Sequence, residues 1–361
     1  MLQPRTKIAS ENKRPFGSPS RRRTKMRIYL TVCLAALACL LLAAPCSKAA
    51  DESAADTPKE GLEVGDKFLH YDTFSAKTID GNDLKFADYK GKVLFVDFWA
   101  AWCMPCRLEL PYLRVVQDNY VGDKFAIVGI SLDRQISDLR AMAEELGLDY
   151  PQLCDEKGWQ SEYATAFSIR SIPTNFLLDA NGVIVAKNMR GLAAEGYVAK
   201  ALGLTTPVVD YVDAIAEYQS AEEPDLDKVH ALLDKAIEGD PEQPEFYFFA
   251  AELAIGAGDS EAAAAQYKTG LEHKDKLPTF MPALYAYVNL GQIKLQDGKT
   301  DEALASLDDA IKAIQALGDV EKKTYAPYIP EIEKIKAKWA GGANAGGDGG
   351  GNGGADDAGK E

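Results

Sequence analysis

The stretch that most restricts the fold is Val93-Leu94-Phe95-Val96-Asp97-Phe98-Trp99. This apolar, β-favouring run is long enough for one buried strand. Ala100-Ala101-Trp102-Cys103-Met104-Pro105-Cys106 follows directly, and a helix-competent segment extends from Cys106 to about Gln117. The spacing places Cys103 just ahead of the first helical turn and Cys106 within it. Two cysteines so placed are close enough to close a small disulfide ring. Pro105 suits an early helical position, where its missing N–H costs nothing.

A strand-to-helix junction carries its own electrostatics. First-turn N–H groups lack intrahelical partners and present the positive end of the helix dipole, which favours a thiolate over a thiol. Thiols in Cys-x-x-Cys sites have pKa values lowered from about 8.5 to roughly 3.5–7.5. Cys103 is thus the expected attacking sulfur and Cys106 the resolving one. A lone Cys-x-x-Cys is also half of a zinc site, but no second pair or Cys/His cluster stands at ligand spacing. His70, His230 and His273 are scattered, so the reading is redox, with no metal and no cofactor.

The string from Asp97 to Cys106 resembles the active-site stretch of the thioredoxin superfamily. Arg107-Leu108-Glu109-Leu110-Pro111 is similar to the extracytoplasmic reductases of the TlpA/ResA type. Met104 stands where cytoplasmic thioredoxin has glycine, and because the intervening dipeptide tunes the potential, the resemblance leaves the potential open. Arg170-Ser171-Ile172-Pro173-Thr174 is similar to the thioredoxin cis-proline segment. That likeness implies a cis Ile172–Pro173 bond opposite Cys103, with the Ile172 backbone free to pair with an extended substrate.

The resemblance implies Cys103, Cys106, Asp97 and Pro173 as catalytic residues, the first two as the redox-active disulfide. It puts Trp102, Met104, Pro105 and Ile172 against the substrate. A buried Asp97 has a raised pKa and takes the Cys106 proton during exchange; a purely structural, hydrogen-bonded aspartate is the alternative. Trp99 walls the site or is plain core. Glu109 matches the TlpA-type pattern, or is simply a solvated first-turn acid favoured by the dipole. Cys154, the odd cysteine of the exported part, reads as a buried or idle thiol.

Around this centre the pattern is α/β over about 58–205: a thioredoxin-like fold with a central mixed sheet and helices on both faces. Residues 68–79 and 84–86 read as a short β-structure around Asp80-Gly81-Asn82-Asp83. Residues 125–131 read as a buried strand, 137–146 as a helix, and 176–178 with 183–186 as a hairpin about Asp179-Ala180-Asn181-Gly182. A helix over about 194–202 closes the domain.

From Pro207 the pattern becomes helical, and over 207–338 it repeats. Val229, Leu233 and Ala236 align with Ala263, Tyr267 and Gly270, 34 positions on, and again with Ala303, Leu307 and Ala310 after 40 more. Tyr247 and Gly258 correspond to Tyr287 and Gly298. Tyr287-x2-Leu290-Gly291 is similar to the start of a tetratricopeptide repeat, so the region resembles about three degenerate units of an all-α helical-hairpin stack; an ordinary helical bundle is the alternative. Such stacks offer a concave face to a protein partner. The Gly-rich stretch over 339–361 cannot bury enough surface to offset ordering and reads as a disordered tail.

Residues 1–50 read as a signal peptide or membrane anchor: nine Lys/Arg and one acidic residue in the first thirty, then an apolar run from Ile28 to Pro45. Cleavage after Ala49, lipidation at Cys46 and an uncleaved span remain alternatives, and Met26 is a second possible start. Each places the body outside the cytoplasm, secreted or anchored, where disulfides persist; membrane contact is then confined to this segment. The net charge of −15 argues against a nucleic-acid partner. The expected partners are substrate proteins with thiols or disulfides and an unidentified electron donor. Two further readings are a binding scaffold built on the repeats, and a peroxiredoxin, whose Thr-x-x-Cys signature is missing because Ala100 stands three residues before Cys103.

Overall fold

The computed structural model describes residues 62–220 and 223–344. The expected signal segment and most of the Gly-rich tail lie outside the described residues.

The α/β half has the thioredoxin-like fold. Strands β1 (Ser75–Lys77) and β2 (Asp83–Lys85) form a small antiparallel pair. The main sheet is built from β3 (Val93–Trp99), β4 (Phe125–Ser131), β5 (Gln152–Cys154), β6 (Thr174–Leu178) and β7 (Ile184–Lys187), in the order β5-β4-β3-β6-β7. β3, β4 and β5 run parallel, and β6 and β7 antiparallel to their neighbours. Every residue of β3 is buried, as its apolar run requires of the central strand. Helix α1 (Met104–Tyr120) leaves the end of β3, α2 (Ile136–Leu146) follows β4, α3 (Glu162–Ala166) precedes the Pro173 loop, and α4 (Leu192–Ala201) follows β7. Gly147, at φ 65°, closes α2 in the left-handed conformation that glycine adopts without a Cβ penalty.

The two faces of β3 do different things. Phe98 points into an aromatic cluster, 5.7 Å from the Phe167 ring and 6.3 Å from that of Phe176, with Phe68 stacked on Phe167 at 4.9 Å. Phe95 and Asp97 point the other way, to the side of α1 and α4. The expected strand over 68–79 is confined to 75–77. His70 takes φ 56° in a turn that drives Phe68 and Tyr71 into the core instead.

The second half is all helical. α5 (Pro207–Ser220), α6 (Leu226–Gly239), α7 (Pro244–Ala257), α8 (Ser260–Glu272), α9 (Met281–Gln296) and α10 (Thr300–Ala316) pack in consecutive pairs, and α11 (Asp319–Tyr325) and α12 (Ile329–Asn344) follow. The nine positions aligned in the sequence fall on α6, α8 and α10, the second helix of each pair, and all are buried. α12 carries the chain through the boundary expected at 338/339. Its Trp339 lies against α9 at Gly291, so residues up to 344 belong to the helical body. A Cβ on Gly291 would sit 3.0 Å from the Ala303 carbonyl oxygen and 2.9 Å from the Trp339 ring. Gly291→Ala is therefore expected to destabilise the fold by about 1–3 kcal/mol through overpacking, read as a lower midpoint in urea.

Beside the α/β half's own core, a second hydrophobic cluster joins the halves. Tyr112 of α1 and Leu192 of α4 are buried with Tyr211, Val212, Val229, Leu233 and Phe246 of the helical half.

Candidate redox site

Cys103 and Cys106 are joined in a disulfide, their Cα atoms 5.3 Å apart. Cys103 is the N-cap of α1 and Cys106 lies in the first turn. The Cys106 N–H donates to the Cys103 Sγ at 3.2 Å, so one orphan first-turn donor already points at the sulfur expected to carry negative charge. Cys103 is 5% exposed and Cys106 1%, leaving Cys103 as the outer sulfur of the pair.

The loop that presents the pair is held from β4. Asp133, two residues beyond that strand, accepts the Ala101 N–H at 3.1 and 3.0 Å through its two carboxylate oxygens, and takes the Ser131 hydroxyl at 2.6 Å. Burial pushes the Asp133 carboxyl up, against these hydrogen bonds. Asp133 escaped the sequence reading. Its signal was an acid just past the strand that runs parallel to β3, level with the cysteine loop.

Apolar side chains surround the mouth. Trp102, Met104 and Trp159 are all substantially exposed, and the rings of Trp102 and Trp159 lie 6.2 Å apart. The Trp102 indole N–H donates to the Leu132 carbonyl at 3.3 Å, which fixes the ring over the β4 end. Pro105 is exposed at the second position of α1. Trp99, by contrast, is fully buried, its indole N–H bonded to Gln152 at 3.1 Å.

The Ile172–Pro173 bond is cis, and both residues are half-buried. They precede β6, whose Thr174 pairs with Phe98. The loop therefore lies at the same end of the sheet as the disulfide. The Arg190 guanidinium ties it down, donating to the Pro173 and Met189 carbonyls.

Between β3, α1 and the start of α4, Asp97, Glu109, Tyr112 and Asn175 line a small cavity of about 10 Å³, room for about one water. Asp97 is buried, and loss of hydration pushes its carboxyl up to about 7; Arg190 opposes the rise and Glu109 reinforces it. Glu109 is not a solvated first-turn acid. It sits in the second turn, half-buried, accepting the Gly191 N–H at 2.7 Å at the start of α4, and burial raises its carboxyl as well. Cys154 stands apart at the end of β5, half-buried, its Sγ 3.5 Å from the Asp133 carbonyl. Burial raises its thiol, so it lacks the electrostatics of a reactive cysteine.

Residues 64–187 match the family model described as the AhpC/TSA family. This segment is an AhpC/TSA-family domain. Within it, 114 residues are 39% identical to the thioredoxin-like protein YneN of Bacillus subtilis, over 31% of this chain and 64% of that protein. The thiol-disulfide oxidoreductase ResA of Geobacillus thermodenitrificans is 30% identical over 31% of this chain and 62% of its own length. The chain thus spans under two thirds of these curated relatives. The thioredoxin domain of a thiol-disulfide oxidoreductase from Bacteroides vulgatus is 31% identical, over 39% of this chain and 98% of that one, with a TM-score of 0.35. The AhpC/TSA-family domain holds the disulfide, the Pro173 loop and Asp97; the helical half lies beyond the match. No helix among the described residues is long and apolar enough to cross a membrane.

Proposed function

We propose that the protein is an exported thiol–disulfide oxidoreductase that exchanges the Cys103–Cys106 pair with substrate proteins, working as a reductant. The observation that carries this reading is the disulfide at the mouth of α1, with its outer sulfur receiving the Cys106 N–H and a buried carboxyl, Asp97, on the strand that leads into it. In the reducing direction the Cys103 thiolate attacks a substrate disulfide, and a mixed disulfide forms as the substrate's other sulfur leaves as a thiolate. Cys106 then gives its proton to Asp97 and attacks Cys103. The substrate leaves reduced, and the pair is left oxidised. An electron donor must supply two electrons to restart the cycle.

Trp102, Met104 and Pro105 give the substrate chain an apolar seat, and Ile172, before the cis-proline, offers its backbone to an extended segment. Asp97 accepts the proton, and Pro173 holds Ile172 in place. The helical half, read as about three tetratricopeptide-like units over 207–338, supplies a surface for a protein partner. The basic and apolar segment over 1–50 supports export or anchoring. Peroxidase chemistry is disfavoured because Ala100, buried three residues before Cys103, offers no hydroxyl to a peroxide.

The direction of exchange is tested by equilibrating the protein in defined glutathione buffers. A reductant is expected to have a midpoint near −270 mV. A value near −120 mV, that of a strong oxidant, reverses the assignment.

A further inference from the structure

The cavity that Asp97 lines is walled by residues of the α/β half, but one of its wall residues is held from the helical half. Tyr112 projects from α1, lines the cavity beside Asp97 and Glu109, and sends its hydroxyl out of the domain to Glu245, the second residue of α7. The hydroxyl donates to Glu245 Oε1 at 2.9 Å, across 133 positions of sequence, and both residues are buried. The other oxygen, Oε2, is buried with no partner. A carboxyl in that state is an expensive thing to place in a core. The helical half has no packing need for it, because Phe246, Tyr211 and Val212 already fill that region with apolar surface. What the carboxyl does provide is an acceptor for the one phenol that reaches from the redox cavity.

We propose that Glu245 is a positioning residue of the redox site: from the helical half it fixes Tyr112 as the wall that keeps water from Asp97. The inference rests on the reading of Asp97 as the proton acceptor. It extends the site beyond the AhpC/TSA-family domain, so that the helical half is a working part of the redox centre as well as a surface for partners.

Asp97 is faced by Glu109 and Tyr112 from α1, by Arg190 ahead of α4, and by Tyr150 ahead of β5. Glu245 is faced by Tyr112, by Glu195 of α4 and by Tyr211 of α5. Burial raises both carboxyls to about 7. With Glu245 truncated, the Tyr112 hydroxyl is left without an acceptor in an apolar core, and it must either stay unpaired or turn toward water. Turning opens the cavity. Hydration then stabilises the Asp97 anion, and its pKa falls.

The test follows the Asp97 carboxyl carbon by NMR in full-length protein labelled with carbon-13 aspartate, its resonance assigned by its loss in Asp97→Asn. Glu245→Ala is expected to move the Asp97 midpoint from near 7 to lower pH by about one unit or more. Glu245→Gln keeps a carbonyl acceptor for Tyr112 and is expected to restore the wild-type midpoint. If Glu245→Ala does not fold, as judged by circular dichroism, Tyr112→Leu removes the wall directly and is expected to give the same acid shift. An unchanged midpoint in the folded truncations overturns the proposal, and so does a Glu245→Gln shift as large as that of Glu245→Ala, which would mean charge and not the hydrogen bond. A wild-type Asp97 that titrates near an ordinary carboxylate instead sinks the Asp97 reading itself, a separate failure.

Discussion

Cys103→Ser is expected to abolish disulfide exchange, lowering catalysed insulin reduction in dithiothreitol by at least about a thousandfold, to the level of dithiothreitol alone. A nucleophile that acts as a unit with its partner loses nearly everything when it is removed. Serine keeps the size and the N-cap geometry at the start of α1, so the loss reports chemistry and not folding. Cys106→Ser should behave differently. It leaves the outer sulfur in place but removes the one that resolves the mixed disulfide, so substrate proteins accumulate on Cys103 and appear as reductant-sensitive adducts on a gel. The pair of variants also separates exchange from scaffolding. If the helical half alone carries function, Cys103→Ser will still capture the same partners and the adducts of Cys106→Ser will be incidental. If the outer sulfur is Cys106 instead, the two phenotypes will be exchanged.

How much of this could be read from the sequence depended on the range of the forces involved. The central strand, the cysteine junction and α1 were legible because the apolar run over 93–99 and the two-residue gap between the cysteines are local facts. The hairpin was legible because Asp179 caps its own turn, accepting the Asn181 and Val183 N–H groups. β5 was not: it is three residues long, and Gln152 has no alternation to betray it. Gln152 is inside because the Trp99 indole N–H needs an acceptor, which is a tertiary fact. The same holds for the cavity. Glu109 meets Gly191 across 82 positions and Tyr112 meets Glu245 across 133. No periodicity announces either contact, so the first-turn reading of Glu109 had nothing local to correct it. The repeat positions were legible as small and large residues at fixed spacing. The extension of the last helix to Asn344 was not, because it depends on Trp339 finding Gly291 on a different helix.

Asp97→Asn is expected to make the protein more stable at alkaline pH while slowing its exchange. In the folded protein Asp97 holds its proton up to about 7, against 3.8 for a solvated aspartate. Below about 4 both states are protonated and the side chain has no pH-dependent effect. Between about 4 and 7 the unfolded chain has released its proton and the folded one has not, so the folded state binds more protons and stability falls as pH rises. Above 7 both are ionised and the full penalty is in place. At about 1.4 kcal/mol per pH unit, three units amount to roughly 4 kcal/mol at pH 8, an upper bound because relaxation around a buried charge lowers the cost. Asparagine has nearly the same shape and no charge to bury. Urea denaturation should therefore show the variant gaining stability over wild type as pH rises from 5 to 8, with the two converging below pH 4. Exchange should move the opposite way, because Cys106 would lose the carboxylate proposed to take its proton. The same burial that raises the Asp97 carboxyl to about 7 is what destabilises the fold above that pH. A variant whose stability advantage does not grow with pH would show that Asp97 is ionised throughout, and the proton-transfer role would fall with it.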